Sequence, residues 1–184
     1  YDGNSTGDYF KGKMDEVRIW KNVRTKAEIR ENMHLTFTTA EILDMPDLIA
    51  YYQFDNDDAA STADGVKDVL GNHGTSVGGA YAASEVAVGG GSSATRQVNG
   101  IGVYTFANTD LELTFTGSNF PMGDVVVTKI KTEAPINPPT AMTNTPNYYW
   151  VINNYGTTDN LSILAKFLFE DGEIADNISA NHAP

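Results

Sequence analysis

The second half of the chain carries five strand-length segments separated by turn signals, and this pattern limits the possible fold more than any other feature. In the second segment, Leu111, Leu113 and Phe115 alternate with polar residues, as expected for a strand with one buried and one wet face. Five such segments at this spacing predict an antiparallel β-sandwich. The segments are residues 102–108, 111–117, 125–133, 148–156 and 161–169.

The first half of the chain begins with a strand and a helix. Alternating apolar residues over 14–19 predict a half-buried strand. Thr25 and Glu28 match a capping box, which predicts the start of a helix. On that helix, Ile29 and Met33 lie four residues apart and would face the core.

A second helix and strand follow. Thr38 with Glu41 repeats the capping pattern and predicts a short helix that ends near Pro46, because proline restricts the residue before it. The β-branched and aromatic residues of 48–54 predict a core strand. Both halves together predict an all-β fold with short helices.

A glycine-rich run divides the chain. Residues 89–93 read GGGSS, a composition typical of a flexible linker. The sequence therefore predicts a first domain over 1–88, a linker over 89–95 and a β-sandwich domain over 96–184. The chain also begins in a polar segment without an initiator methionine, which favours a piece of a longer precursor.

The composition excludes several classes of partner. The 24 acidic and 12 basic residues give a net charge of −12, which disfavours nucleic acid and anionic membranes and permits cations or neutral ligands. The chain has no cysteine, so disulfides, thiolate catalysis and zinc–cysteine sites are excluded. No apolar run reaches the roughly 20 residues that a transmembrane helix needs, so we predict no membrane span.

Much of the negative charge lies in one segment. Residues 41–90 contain nine acidic residues and one lysine, and so carry −8 of the net −12. Oxygen ligands of this kind are those that calcium prefers, but the spacing lacks the glycine and the closing glutamate of an EF-hand. A calcium-binding loop and a solvated acidic loop both stay open. The candidate calcium ligands are Asp55, Asp57, Asp58, Asp64 and Asp68.

The sequence offers no complete catalytic constellation. Asp15 and Glu16 are adjacent, and neighbouring strand residues point to opposite faces, so the two carboxylates cannot flank one glycosidic bond. We expect Asp15 to accept hydrogen bonds from a turn and Glu16 to pair across strands. The chain has no Gly-x-Ser-x-Gly elbow and no phosphate loop, and its histidines are widely spread. The sequence therefore predicts a protein that is not an enzyme.

Groups of aromatic residues are candidate platforms for sugar rings. Aromatic residues in strands belong more often to a core, and alternation sends neighbouring residues to opposite faces. A core role and a carbohydrate platform both stay open. The candidates are Tyr148, Tyr149, Trp150 and Tyr155 in the second half, and Trp20, Tyr51 and Tyr52 in the first.

Two segments of the first half resemble a known family. Residues 9–33, YFKGKMDEVRIWKNVRTKAEIRENM, resemble the closing segment of laminin-G-like, concanavalin A-type jelly-roll domains. Residues 48–75, LIAYYQFDNDDAASTADGVKDVLGNHGT, look like a segment that accompanies these domains in bacterial surface proteins. The matching residues of the first segment are Gly12, Met14, Asp15, Glu16, Val17, Arg18, Ile19, Trp20 and Asn22, with one lysine inserted before the asparagine.

The resemblance implies that the first domain is the C-terminal part of a laminin-G-like jelly roll, because most of a jelly roll normally precedes this motif. The second half, with YYWVINNYG at 148–156, is similar to β-sandwich modules of large Bacteroidota proteins exported by the type IX secretion system. Together, the two resemblances imply a partial jelly roll followed by a second antiparallel β-sandwich.

The same resemblances imply a non-catalytic binding or adhesion fragment of a secreted or cell-surface protein. A glycan or a surface protein would be its ligand, and the type IX secretion machinery would be a partner during export. The composition of the acidic segment, and not the resemblance, makes calcium the candidate cofactor. Two alternatives stay open: an accessory module of a larger secreted polysaccharide-degrading enzyme, and a structural stalk or spacer.

Overall fold

The structure is a computed structural model that describes residues 10–55, 65–75, 80, 86–131, 148–157 and 160–169. Its sheets are antiparallel and only two short helices accompany them, so the all-β prediction is confirmed. In chain order, the elements are β1 (Val17–Trp20), α1 (Lys26–Asn32), α2 (Thr39–Leu43), β2 (Leu48–Tyr52), β3 (Gly65–Val66), β4 (Gly74–Thr75), β5 (Gly91–Val98), β6 (Gly102–Phe106), β7 (Leu111–Phe115), β8 (Gly123–Ile130), β9 (Tyr149–Asn154) and β10 (Ile163–Phe167).

These elements belong to two compact units, whose bounds differ from those that we predicted. The segment 24–38, which we placed in the first domain, belongs to the second unit. The described residues of the first unit are 10–23, 39–55, 65–75 and 80, and those of the second are 24–38, 86–131, 148–157 and 160–169.

An antiparallel strand pair is the centre of the first unit. Strands β1 and β2 pair along their length, and the register shifts between Ile19 and Trp20. Helix α2 precedes β2, ends before Pro46 as predicted, and buries Ile42. Two short strands, β3 and β4, form a second antiparallel pair. The buried apolar residues of the described part of this unit are Ile42, Leu48, Ala50 and Tyr51.

The second unit is sandwich-like, with two three-stranded antiparallel sheets. One sheet has the order β5-β8-β9 and the other β10-β7-β6, so β8 and β7 are the central strands. The alternation seen in the sequence is confirmed in β7, where every second side chain is buried. The core between the sheets consists of Val98, Phe106, Leu111, Leu113, Phe115, Val125 and Val127.

Helix α1 lies against the sheet that contains β5 and β8. The predicted capping box is present, because the Thr25 hydroxyl accepts from the Glu28 amide and the Glu28 carboxylate accepts from the Thr25 amide. The prediction that Ile29 and Met33 face the core is wrong, since their exposed fractions are 55% and 46%.

Polar contacts attach the 24–38 segment to the second unit, and Phe37 of the same segment is buried. The Arg30 guanidinium is paired with Asp124 at 3.0 Å and lies 3.6 Å from the centre of the Tyr155 ring. The His34 Nδ1–H donates to the Ala87 carbonyl, and His34 Nε2 accepts from the Asn153 amide. Because each ring nitrogen has a partner, this histidine holds the segment in one position.

The predicted linker is part of the second unit, because β5 begins at Gly91 and continues to Val98. A Cβ atom at Gly91 would collide with the backbone carbonyl of Lys129 on the neighbouring strand. Glycine is therefore required by the close approach of two strands. Composition predicted a linker because it does not distinguish a glycine that provides flexibility from one that provides space.

No helix among the described residues is long and apolar enough to cross a membrane.

Candidate functional site

Only two of the five candidate calcium ligands fall within the described residues. Asp55 is exposed at the end of the segment that follows β2, and Asp68 is buried. Asp57, Asp58 and Asp64 lie outside the described residues. Within the described part of the chain, no group of three or more acidic or histidine side chains could hold a metal ion. The calcium site therefore stays a prediction.

Asp68 has a structural role in the first unit. One carboxylate oxygen accepts from the backbone amides of Tyr51 at 2.6 Å and Leu70 at 3.1 Å, and the other accepts from the Asn72 amide at 2.8 Å. Burial alone would raise the pKa of the Asp68 carboxyl, but these hydrogen bonds outweigh it and hold the pKa below its ordinary value. The carboxylate thus fixes the 68–72 turn against β2.

Glu16 meets Arg18 and Tyr51 in a second polar group of the first unit. The Glu16 carboxylate accepts from the Arg18 guanidinium at 2.8 Å and from the Tyr51 hydroxyl across the strand pair. The side chains of Arg18 and Glu16 are 9% and 8% exposed, and the Tyr51 ring is fully buried below the guanidinium. The cross-strand role that we predicted for Glu16 is confirmed.

Burial controls the acidity of this group. It raises the pKa of Glu16 above its ordinary value, although the hydrogen bonds from Tyr51 and Arg18 act in the opposite direction. Burial and the hydrogen bond to Glu16 raise the pKa of Tyr51 to about 12. Perturbed carboxyl groups also occur at catalytic sites, but the partners of this one are a guanidinium and a buried tyrosine that join two strands.

The two histidines in the described part of the chain belong to different units. His34 holds the 24–38 segment in the second unit, whereas His73 is exposed in the first, where its Nδ1 accepts from the Asp68 amide. His182 lies outside the described residues. His73 therefore contacts the turn that Asp68 organises, and His34 has a structural role.

Four aromatic side chains meet at one end of the second unit. We call Tyr148, Trp150, Phe167 and Phe169 the aromatic cluster. The Trp150 ring centre lies 4.7 Å from that of Phe167, 5.3 Å from that of Tyr148 and 6.1 Å from that of Phe169. Such distances are typical of interacting rings. The cluster joins β9 of one sheet to the end of β10 of the other.

The cluster extends from the core to the surface. Trp150 packs against the core and its indole N–H donates to the Thr109 carbonyl at 2.5 Å. Phe167 and Phe169 are 41% and 42% exposed, and their ring planes differ by 30°. Alternation places residues 167 and 169 on the same face. The outer part of the cluster therefore offers two neighbouring apolar rings to solvent.

An ion pair lies beneath the aromatic cluster. Lys129, from the central strand β8, is 1% exposed, and its ammonium group lies 2.7 Å from the Asp110 carboxylate. The same ammonium group lies 4.3 Å from the Tyr148 ring centre and 5.5 Å from that of Trp150. These distances are within the range of cation–π attraction. Two aromatic rings and one carboxylate thus surround a buried cation.

The hairpin between β6 and β7 presents Asp110 beside the exposed rings. Asn108 and Asp110 both have positive φ, at 61° and 55°, a conformation that these two residue types tolerate better than most. The Asp110 carbonyl accepts from the Leu168 amide at 2.8 Å, which ties the hairpin to the segment between Phe167 and Phe169.

The structure separates the predicted sugar platforms. Tyr148 and Trp150 belong to the aromatic cluster, whereas Tyr155 is covered by Arg30. In the first unit, Tyr51 has the core role, because its ring is fully buried. Tyr52 is partly exposed, and its hydroxyl donates to the Asn72 carbonyl. The two halves of the chain thus differ in what their aromatic residues do.

Sequence reasoning missed Asp110, Lys129, Phe167 and Phe169. One signal was available. Val125, Val127 and Lys129 occupy every second position of β8 and therefore lie on one face, which places the lysine on the core side. A lysine on a core face requires a partner. The identity of that partner depends on residues distant in sequence, which no local pattern shows.

This arrangement is suited to binding. Exposed aromatic rings offer apolar surface, and an exposed carboxylate offers hydrogen-bond acceptors at a fixed position. Comparisons with protein-family models, with curated proteins and with solved structures found no match for the chain. The laminin-G-like and type IX resemblances therefore stay predictions.

Proposed function

We propose that this chain is a non-catalytic binding module, and that the aromatic cluster is its binding surface. The observation that carries the proposal is the pair of half-exposed rings, Phe167 and Phe169, at the end of a sandwich. Soluble proteins bury most large aromatic side chains, and exposed apolar groups framed by polar residues are typical of interaction sites.

The position of the cluster supports this proposal. It lies where the β6–β7 hairpin, the end of β8, the start of β9 and the end of β10 meet. Binding residues occur preferentially on loops that a rigid sandwich positions. Trp150 also connects the surface rings to the core, so their positions are supported from below.

A binding role also agrees with the chemistry of the described residues. The carboxylates of Glu16 and Asp68 are used in structural hydrogen bonds. We propose a glycan or a surface protein as the ligand, and a secreted or cell-surface location for the parent protein. Its export by the type IX system and calcium binding by the acidic segment belong to the same proposal.

An array that carries glycans and extracellular proteins tests the binding role. The wild-type chain is compared with a Phe167→Ala/Phe169→Ala double variant. A matched control is Phe10→Ala, which removes an aromatic ring that is 68% exposed but lies in the first unit. We expect the wild type and the control to bind the same ligand and the double variant to lose it.

Melting temperatures of all three proteins show whether the double variant is folded. Absence of binding by the wild type, or binding that the double variant retains, would contradict the proposal. An unfolded double variant is replaced by Phe167→Leu/Phe169→Leu, which keeps apolar volume while removing the ring faces.

A further inference from the structure

Asp110 adds a polar element to the proposed binding surface. Its side chain is 41% exposed, and Oδ2 is held by the Lys129 ammonium at 2.7 Å. Among the described residues, Oδ1 has no hydrogen-bond donor. A carboxylate has about four acceptor positions. One oxygen is thus fixed by the protein, and the partly exposed side chain leaves the other without a donor among the described residues.

Lys129 determines which ligand charge this surface accepts. A carboxylate beside aromatic rings would ordinarily suit a cation. Here the lysine already occupies that position, between Asp110 and the rings of Tyr148 and Trp150. Because the ammonium group already neutralises the Asp110 carboxylate, the pair offers a second cation little net attraction.

An anionic ligand is disfavoured as well. The carboxylate of Asp110 is itself exposed, and the whole chain carries a net charge of −12. Like charges at close range repel each other and so weaken binding. An entirely apolar ligand is also unsuitable, because it would bury the free Asp110 oxygen without a donor.

These conditions fit a neutral molecule with hydroxyl donors on one edge and an apolar C–H face. Pyranose sugars without acidic groups have this chemistry. We infer that the aromatic cluster and Asp110 together form a site for neutral hexose oligomers. The rings of Phe167 and Phe169 contact the sugar face, and Asp110 Oδ1 accepts from a sugar hydroxyl.

This inference rests on the proposed binding function and specifies its ligand. It also gives a reason for burying a lysine, which is costly and only partly repaid by pairing. The buried ammonium group fixes the orientation of the Asp110 carboxylate and removes its preference for cations. Lys129 is therefore a positioning residue that does not itself touch the sugar.

The test is a set of titrations with matched sugars. Glucose, galactose and mannose oligomers are compared with the corresponding uronic acid oligomers, which differ by a carboxylate at C6. We expect the wild type to bind at least one neutral oligomer and to bind its acidic counterpart more weakly. Asp110→Ala removes a charged hydrogen bond to the sugar but also takes the carboxylate partner from buried Lys129, so Asp110→Ala/Lys129→Met, which removes both charges, is titrated beside it. Both variants should weaken neutral binding about tenfold or more while keeping the wild-type melting temperature within a few degrees.

Asp44→Ala is the matched control, because it removes an exposed carboxylate from the first unit. Equal or stronger binding of the acidic oligomers, or equal binding by Asp110→Ala and Asp44→Ala, would overturn the sugar inference. Protein binding that depends on Phe167 and Phe169, without sugar binding, would overturn it too while leaving the proposed function intact. Sugar binding that is unchanged in the Phe167→Ala/Phe169→Ala variant would overturn both the sugar inference and the proposed binding surface.

Discussion

The two units are stabilised in different ways. In the described part of the first unit, the carboxylates of Asp68 and Glu16 organise the turn and the strand pair. In the second unit, an apolar core between two sheets performs that role. Hydrogen bonds to ionisable groups depend on pH, whereas apolar burial does not. Protonation of Asp68 and Glu16 should therefore affect the first unit, and mutation of the core between the sheets should affect the second.

The largest expected effect is in the core of the second unit. Phe115 is 2% exposed and its ring contacts Tyr104 with the centres 5.7 Å apart. Phe115→Ala should reduce the free energy of unfolding of this unit by about 3–5 kcal/mol, because it leaves a large cavity. Hydrogen exchange at the amides of Leu113 and Val127 measures the loss, and a loss no larger than in Phe10→Ala would contradict the proposed core.

The next effect separates the first unit from the second. Asp68→Ala leaves three backbone amides without an acceptor and should destabilise the first unit by about 3 kcal/mol. Hydrogen exchange should accelerate at the amides of Tyr51 and Asn72 and not at Leu113. Asp44→Ala is the control, and equal acceleration in both units would show that the units do not respond separately.

The same carboxylate predicts sensitivity to acid. Because the pKa of Asp68 is lower in the folded chain, its stabilising effect is present above the ordinary pKa and is lost as the pH falls through the lowered value. Glu16 acts in the opposite direction, since its raised pKa means that stability is lost as the pH rises through that value. Acid unfolding is monitored in the wild type, Asp68→Asn and Glu16→Gln. The two variants should change the dependence of stability on pH in opposite directions, and an equal change in both would contradict the two contributions.

A smaller effect tests the strand that replaces the predicted linker. Gly91→Ala places a methyl group against the Lys129 carbonyl and should destabilise the β5–β8 pair by about 2 kcal/mol. The matched control is Gly100→Ala, where a Cβ atom would meet only the Tyr104 hydroxyl at an ordinary 3.9 Å. Thermal melts should show a lower melting temperature for Gly91→Ala than for Gly100→Ala. Equal melting temperatures would favour a linker at this position.

The smallest effect lies in the strand pair of the first unit. Tyr51→Phe removes the hydrogen bond to Glu16 and should cost about 1 kcal/mol near neutral pH. The pKa of Tyr51 is raised from 10.0 to about 12, so its contribution to stability is complete below pH 10 and is lost as the pH approaches 12. Melting temperatures measured between pH 10 and 12 should fall in the wild type and stay constant in Tyr51→Phe. An equal fall in both proteins would contradict this role of Tyr51.

Local patterns predicted those parts of the fold that depend on local interactions. The Thr25 capping box and the Leu111–Phe115 strand are examples, since one needs only neighbouring backbone groups and the other only alternation. Ile29 and Met33 show the limit, because helical spacing identifies a face but not what covers it. Their helix is attached through Arg30, and no sequence pattern connects Arg30 with Asp124.

The candidate site was less predictable than the fold. Tyr148 and Trp150 were recognisable as candidates because aromatic residues are prominent in any sequence. Asp110 and Lys129 were not recognisable, because their role depends on a contact between residues of the two sheets. A binding surface assembled from several strand ends has no compact motif, and only the fold brings its parts together.

The most direct test measures ligand binding by one variant of each unit. Binding of a neutral hexose oligomer is titrated for the wild type, Asp68→Ala and Phe167→Ala/Phe169→Ala. We predict wild-type affinity for Asp68→Ala, since its defect lies in the first unit, and loss of binding for the double variant with its melting temperature retained. Loss of binding in Asp68→Ala together with full binding by the double variant would contradict a binding surface at the aromatic cluster.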